Sequence, residues 1–375
     1  MAPRTPGFGH RGVAYDTGTP FSTFQGVLSR NVWSNSLMQE EISLVSGELN
    51  GNSVDVYGSD LGRLSETAIA AAERGLHIWL DPRLPDYSAD EVIDHLAEVA
   101  RLAQSLRNQG ADIDLTVGAT HTILMPGIFP GDHTHERIAA IFFDGDRRFG
   151  VRTPKTADQW LSAKTSAALT ESAPRLNELL SRAATVARGI FDGGLAYVAT
   201  PWEQVDWTPF DFVGLKYYLM PTNLTPELHL AELARYQKWN KPLIISGFGT
   251  ATYPGAEQKG FFSWDVVDRS GETHTVLDGY VRDEGAQAAY YRKMLGIFDQ
   301  AGVYGVAPTD LVHPTHPHST DPRLDLDMAS MCIVKCIRED YADPDSPYRR
   351  ELKESFHAVA EYYVRAGDRA AAVPG

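Results

Sequence analysis

Nothing in this sequence suits it to a membrane or to a nucleic acid. No apolar run approaches the roughly 18 to 20 residues that a spanning helix needs, and the first residues, Met-Ala-Pro-Arg-Thr-Pro-Gly, lack the apolar core of a signal peptide. A net charge of −15 over 375 residues, with no compensating cluster of Lys and Arg, repels phosphate backbones and anionic lipid. No Gly-x-Gly-x-x-Gly or phosphate-loop pattern follows an apolar run, and no nucleophile elbow supports Ser/His/Asp catalysis. The two cysteines, Cys332 and Cys336, are four apart on what reads as one helical face. A disulfide inside one helical turn has poor geometry, so two buried thiols in a reducing compartment are expected. Together these absences lead to the expectation of a soluble, cytoplasmic protein.

What is present is a repeating alternation of short apolar runs and helical patterns. The runs begin within 12–19 and continue at Ser53–Gly58, Leu76–Leu80, Ile113–Val117, Leu195–Ala199, Phe212–Tyr218, Leu243–Ile245 and Tyr304–Ala307. Between them lie a helical stretch near Met38, a helix from Ser65 to the stop signal at Gly75, and a long helix opened by the capping box Ser88-Ala-Asp-Glu91. Further helical patterns follow over 158–169 and 173–191, from Thr225-Pro226 to Trp239, and from Asp283 to Gly302. Last come helical stretches over 326–337 and 349–365, then an Ala/Gly/Pro tail from 366 that reads as frayed. Residues 256–282 form a long insertion. Eight strands separated by helices, with no linker, is the arithmetic of one α/β domain, a (β/α)8 TIM barrel with its core over about 10–365. A doubly wound open sheet is the alternative.

Strand parity sorts the candidate site residues, because alternate side chains face opposite sides. With Val54 and Val56 facing the helices, Asp55 and Tyr57 point into the barrel. The same parity turns Trp79 and Asp81 inward on the third strand, and Lys216 and Tyr218 inward on the sixth. An inward Asp55 and an inward Lys216 can pair; unpaired, either charge is costly to bury.

The segments Gly12-Val-Ala-Tyr-Asp-Thr-Gly18, Arg63-Leu64 with Ala71-Ala72-Glu73-Arg74-Gly75-Leu76, Pro201-Trp202-Glu203-Gln-Val-Asp206-Trp207, Lys241-Pro242, Phe248-Gly249 and Asp321-Pro-Arg-Leu-Asp-Leu-Asp-Met-Ala-Ser330 carry a resemblance. The chain resembles, over about residues 10 to 363, bacterial proteins labelled as abortive-infection proteins, which are similar to barrel-type retaining glycosidases of the cellulase-related clan. That resemblance implies a glycosidase-like barrel. Retaining glycosidases use two carboxyl groups about 5 to 5.5 Å apart. In the resembling group the fourth strand ends in Glu after a Gly-small pair and the seventh ends Thr-Glu-Phe-Gly. This chain reads Gly118-Ala119-Thr120 and Ser246-Gly247-Phe248-Gly249 at those places. The second and sixth strands of such barrels commonly offer Arg and Asp, where this chain has Asp55 and Lys216.

The expectation is therefore a retained cavity whose hydrolytic chemistry is lost. The resulting enzyme would be a cofactor-independent cyclase, isomerase or lyase working on a small-molecule intermediate by acid/base steps. Candidate catalytic groups are Glu203, Asp55, Lys216, Asp81, Asp310 and His121. Candidate substrate contacts are Tyr57, Trp79, Thr120, Trp202, Tyr218, Gly247 and Phe248. Glu203 beside Trp202 is the foremost strand-end acid/base, and Asp16 reads equally as a turn cap. No cofactor is expected, and no metal is assigned to the histidines of His313-Pro-Thr-His316-Pro-His318 or to His133 and His135, because no carboxylate lies at motif spacing. A glycosidase using relocated carboxylates, and a catalytically silent carbohydrate-binding or defence-associated protein, are the other readings.

Overall fold

The computed structural model describes residues 7–21, 28–144, 147–148, 161–219, 225–271 and 273–371. Its centre is a closed parallel barrel. Strand β1 comes in two pieces, His10–Arg11 and Ala14–Asp16, and these close the ring. The first piece pairs with β8 (Gly305–Pro308) and the second with β2 (Ser53–Gly58). Between them β3 (His77–Pro82), β4 (Ile113–Ala119), β5 (Leu195–Ala199), β6 (Phe212–Leu215) and β7 (Leu243–Phe248) follow in chain order, each parallel to its neighbour. The eight expected strands are present, and the open-sheet alternative fails because the two edges of the sheet are the two halves of one strand.

The helices form the outer layer. Helix α1 (Asn35–Ser46) is capped by Ser34, α2 (Leu61–Glu73) by Asp60 and α3 (Ala89–Asn108) by the expected box, in which Ser88 accepts from the Glu91 amide while Glu91 binds Ser88 in return. The loop after β4 carries two short helices, α4 (His121–Leu124) and α5 (Thr134–Phe142). Helix α6 (Ala163–Arg188) is one element where two patterns were expected, with Pro174 inside it. One lost backbone hydrogen bond is outweighed by a buried face that runs from Thr165 and Leu169 through Leu176, Leu179, Leu180, Ala183, Ala184 and Ala187. Residues 158–160 of the first pattern lie outside the described residues. Helices α7 (Pro226–Ala234) and α8 (Glu284–Gln300) complete the ring with α9 (Glu354–Ala371).

Two expectations at the C-terminal end are corrected. Of residues 326–337 only Leu326–Ala329 is helical, as a 3-10 segment that leads into β9 (Val334–Arg338), and residues 349–352 of the last expected helix lie instead in its antiparallel partner β10 (Tyr348–Leu352). Cys332 and Cys336 share helical spacing, but the β-branched Ile333, Val334 and Ile337 favour a strand and the hairpin supplies its partner. Both thiols are buried and free, so that part of the expectation holds. The tail is the second correction, since α9 continues to Ala371 with Ala366 buried. Among the described residues no helix is long and apolar enough to cross a membrane.

A buried ionic knot ties α1 and the C-terminal hairpin to the barrel. Arg30 pairs with Glu41 at 2.8 Å, and Tyr15 and Tyr348 donate to the same carboxylate at 2.7 and 2.8 Å. Arg30 and Glu41 are 1% and 0% exposed, so neither charge can recruit solvent if its partner is lost. Glu41→Gln is expected to destabilise the chain by about 3–5 kcal/mol, read as a lowered urea midpoint.

Candidate functional site

The C-terminal ends of the barrel strands bring a set of charged side chains together under burial. Asp55 and Tyr57 on β2 and Asp81 on β3 face inward as parity required, while Val54, Val56, Val213 and Leu215 join the core against the helices. Lys216 follows β6 and is 3% exposed. Its Nζ donates to Ser246 Oγ at 3.0 Å, Ser246 donates in turn to Asp55, and the ammonium lies 3.7 Å from that carboxylate. The anticipated Asp55–Lys216 couple therefore exists, with Ser246 between the two charges. Burial, and then the nearby Arg83, lowers the Lys216 pKa.

Arg83 was missed by the sequence reasoning. It lies two residues beyond Asp81, and its Nε and Nη2 donate to Asp81 Oδ2 at 2.9 and 2.6 Å. Its guanidinium lies over the Tyr57 ring, 3.6 Å from the centroid. Only its place after Asp81-Pro82 at a strand end could have flagged it. Burial opposes its charge, but Asp81, Tyr57 and Asp55 together outweigh it and raise its pKa. The Asp81 pKa is raised, by burial above all.

Asp310, just beyond β8, occupies the other side of Tyr57. The Tyr57 hydroxyl donates to both of its oxygens, at 2.9 and 3.0 Å. Burial first and the nearby Asp16 second push the Asp310 pKa up to about 7. Asp16 itself is buried and accepts from the Gly18 amide at 2.8 Å, the turn-capping role allowed for it. Among the strand-end polar atoms buried without a hydrogen-bond partner among the described residues are Asp55 Oδ1, Asp81 Oδ1, Thr200 Oγ1 and Thr309 Oγ1.

The other candidates take different places. Glu203 accepts from the Thr122 amide and hydroxyl at 2.8 Å each, from the Thr200 amide at 2.8 Å and from the Tyr197 hydroxyl at 3.1 Å. Burial raises its pKa against these four donors, and the carboxylate clamps the loop after β4 to the end of β5. Both oxygens are engaged by amides and hydroxyls, so the structure gives this carboxylate a scaffolding place at the strand end where an acid/base was expected. His121 is buried against Tyr197, and burial lowers its pKa to about 4, so the ring is neutral near pH 7. It stands where a side chain at Gly118 would project, 2.3 Å from that position. Thr120 adopts a left-handed backbone, φ +50°, at the start of α4.

Trp79 is inward but low. It packs edge-on to Phe212 at 4.8 Å and against His77 and His10, plugging the N-terminal half of the barrel. Phe248 is also displaced from the mouth. A register shift in β7 at Gly247 turns its ring outward onto Tyr291 and Phe298 of α8. Gly247 itself has φ +126°, and a Cβ there would come within 2.8 Å of Thr309 Oγ1, 3.0 Å of Lys216 Cδ and 3.1 Å of Tyr218 Cε1. His318 pairs with Asp325 at 2.8 Å, and among the described residues no group of three or more metal-ligating side chains converges.

Above the charged layer lies an apolar one. Ile123, Leu124, Phe129, Ile141, Phe142 and Leu169 from the β4–α6 segment gather with Trp202, Tyr218, Phe261 and Phe262. Phe142 stacks on Phe261 at 4.9 Å, and Phe261 stacks on Tyr218 at 6.3 Å. Tyr218 thus joins the two layers: burial raises its pKa to about 12, with Arg83, Asp310 and Asp81 as its charged neighbours. The loops after β4 and β7 meet over the strand ends through these rings.

No protein-family model matches the sequence, and a comparison with curated proteins finds no match. Solved structures do match in fold. A GH113 β-1,4-mannanase superposes with a TM-score of 0.57 at 12% identity, covering 95% of this chain and 99% of that one. The GH113 β-mannanase AaManA from Alicyclobacillus acidocaldarius gives 0.55 at 12% identity, over 96% and 98% of the two chains. A family 1 β-glucosidase from Thermotoga maritima gives 0.53 at 13% identity, over 97% and 99%. The chain therefore has a (β/α)8 fold similar to that of glycoside hydrolases.

The packing around Gly247 makes a direct prediction. Gly247→Ala is expected to cost about 1–3 kcal/mol, because φ +126° is closed to most L side chains and the methyl meets Lys216 and Thr309. Thermal denaturation beside Gly296→Ala, a glycine of α8 without positive φ where a Cβ meets nothing within 4 Å, checks it.

Proposed function

We propose that this chain is a non-hydrolytic, cofactor-independent enzyme on a glycosidase-like barrel, moving protons on a small organic substrate in an isomerisation, cyclisation or elimination. The observation that carries the reading is the Asp310–Tyr57 couple: a buried carboxyl at a strand end whose pKa is pushed up to about 7, within hydrogen-bond reach of a phenol. A general acid/base works best when its pKa lies near the working pH. Asp310 is assigned as the proton carrier, Tyr57 as the group that orients it, and the Lys216–Ser246–Asp55 chain as the complementary donor. Arg83 holds Asp81 and Tyr57 in place. The aromatic layer containing Trp202 and Tyr218 favours a substrate with a large apolar body, such as a bacterial natural-product intermediate.

The reading also rests on the replacement, implied by the family resemblance, of both glycosidase carboxylates by Thr120 and Gly247. The backbone strengthens it, since a glutamate at 247 would need a φ that its Cβ resists and would collide with Lys216 and Tyr218. That same filling favours a second reading, a catalytically silent binding protein. We assign the chain as one barrel domain in a reducing compartment, in keeping with two buried free thiols.

Two measurements test the acid/base assignment. The folded-state pKa of Asp310 is raised above its unfolded value of about 3.9, so the folded chain holds the extra proton in between. Its stabilising contribution is complete below that lower value and is lost as pH rises through about 7. Wild-type urea midpoints should fall from pH 5 to pH 8 more than those of Asp310→Asn. In D2O, an isomerised or cyclised product should keep the substrate's formula apart from exchanged hydrogen and an eliminated one should lack only the leaving group and one hydrogen, and Asp310→Asn should slow either conversion by about 10²–10⁴-fold. Release of p-nitrophenol from aryl β-mannosides or β-glucosides by the unmodified protein would favour a glycosidase with relocated carboxylates instead. Ligand binding with neither conversion nor hydrolysis would favour the silent barrel.

A further inference from the structure

One side chain of the ionic layer is built for more than charge pairing. The Lys216 ammonium donates to Ser246 Oγ at 3.0 Å, and Ser246 donates its own proton to Asp55 Oδ2, so a donor chain runs from the amine to a carboxylate. The direct path from Nζ to that oxygen is longer, at 3.7 Å. Asp55 Oδ1 is buried without a hydrogen-bond partner among the described residues, which leaves the carboxylate an oxygen with which to share a proton that arrives through Ser246. A plain ion pair needs neither a hydroxyl between its members nor an oxygen left bare.

An amine attacks only after losing a proton, and an ordinary lysine, with a pKa of about 10.4, is almost wholly ammonium near neutrality. Burial first and the neighbouring Arg83 second push Lys216 the other way, lowering its pKa. Desolvation and a nearby cation are the two environments that activate a lysine for attack on a carbonyl. Ser246 and Asp55 complete the arrangement, a nucleophile in hydrogen-bond contact with the groups that take its proton. The layer is not sealed at this point, because the Lys216 side chain keeps 4% of its surface accessible and Tyr57 and Asp310 keep 6% and 7%.

Charge decides which electrophile this amine can take. An acyl or phosphoryl group on Nζ would remove the lysine's charge and leave the buried Asp55 without its cation. An iminium keeps the charge in place. We propose that Lys216 is a Schiff-base lysine and that the substrate of this barrel carries an aldehyde or ketone, which Nζ captures as a protonated imine. The step balances. Nζ bonds to the carbonyl carbon, two of the three ammonium protons pass by way of Ser246 and Asp55 to the carbonyl oxygen, that oxygen leaves as water, and the third proton stays on the iminium nitrogen. No oxidant or further reactant takes part. The iminium acidifies the adjacent C–H, the proton that an isomerisation, cyclisation or elimination has to move, and so divides one difficult step into two easier ones. This inference rests on the acid/base reading for where the substrate binds and adds the functional group it carries.

Two carbonyl probes test the site in the full chain. 2,4-Pentanedione, which an unprotonated amine converts to a stable enaminone, should give a near-ultraviolet absorbance that saturates at one group per chain. Cinnamaldehyde, an apolar aldehyde suited to the aromatic layer, should after borohydride reduction leave its mass on the peptide that holds Lys216. Lys216→Arg keeps the charge without the nucleophile and should abolish both signals. Ser246→Ala should slow enaminone formation by about tenfold or more. Phe261→Ala thins the aromatic layer and admits the probes where the closed rings exclude them. The proposal fails if Lys216 stays unlabelled in wild type and in Phe261→Ala alike, if labelling survives in Lys216→Arg or spreads evenly over other lysines, or if Ser246→Ala reacts as fast as wild type. The two readings fail separately. Labelled Lys216 with a conversion indifferent to Asp310→Asn removes the Asp310 assignment alone, and a conversion that needs Asp310 in a chain whose Lys216 is unreactive removes the imine alone.

Discussion

Everything at the mouth of this barrel depends on keeping an ammonium and a guanidinium out of water. Lys216 and Arg83 are both buried, and each requires a carboxylate within the same enclosed space. Asp55 answers the first through Ser246, and Asp81 answers the second directly. The cost of desolvating such ions is several kcal/mol apiece, so the four residues stand or fall together. Tyr57 lies between the pairs, its ring under Arg83 and its hydroxyl on Asp310. The carboxyl that is left without a cation of its own, Asp310, is the one whose pKa is pushed close to neutrality.

The barrel interior is stratified. Trp79, Phe212, His77 and His10 fill the N-terminal half, the ionic layer follows, and the rings of Tyr218, Phe261 and Phe142 lie outermost. The apolar layers on either side lower the local dielectric, which strengthens the ion pairs and penalises the unpaired Asp55 and Asp81 oxygens at once. Within a glycosidase-like fold the chain has thus placed a compact salt-linked layer at the strand ends. Glu203 contributes by scaffolding: four donors on one carboxylate join two loops and hold Trp202 in the outer layer.

Much of this was legible from strand parity alone. A two-residue period makes the inward set of β2 unambiguous once Val54 and Val56 are placed against the helices, and the same holds for Lys216. The capping box at Ser88 and the glycine stops marked helix ends because those signals are local. Phe248 was misplaced because parity is broken by the shift at Gly247, which no period of two can reveal. Arg83 was overlooked because its role exists only through Tyr57, a residue 26 positions earlier in the chain. The C-terminal hairpin was read as helix because its strands find their partner in each other, and spacing within one segment carries no information about pairing.

By itself the sequence determined the eight-strand alternation and the inward charges, since each follows from residue identity and a short-range period. Only the tertiary structure decided which carboxylate each cation takes, that Glu203 accepts from two amides and two hydroxyls, and that Asp310 shares a buried enclosure with the Tyr57 hydroxyl. Those outcomes depend on burial and on distances between strands that are far apart in the chain. No local pattern encodes them, because desolvation acts on the assembled barrel and not on any one of its segments.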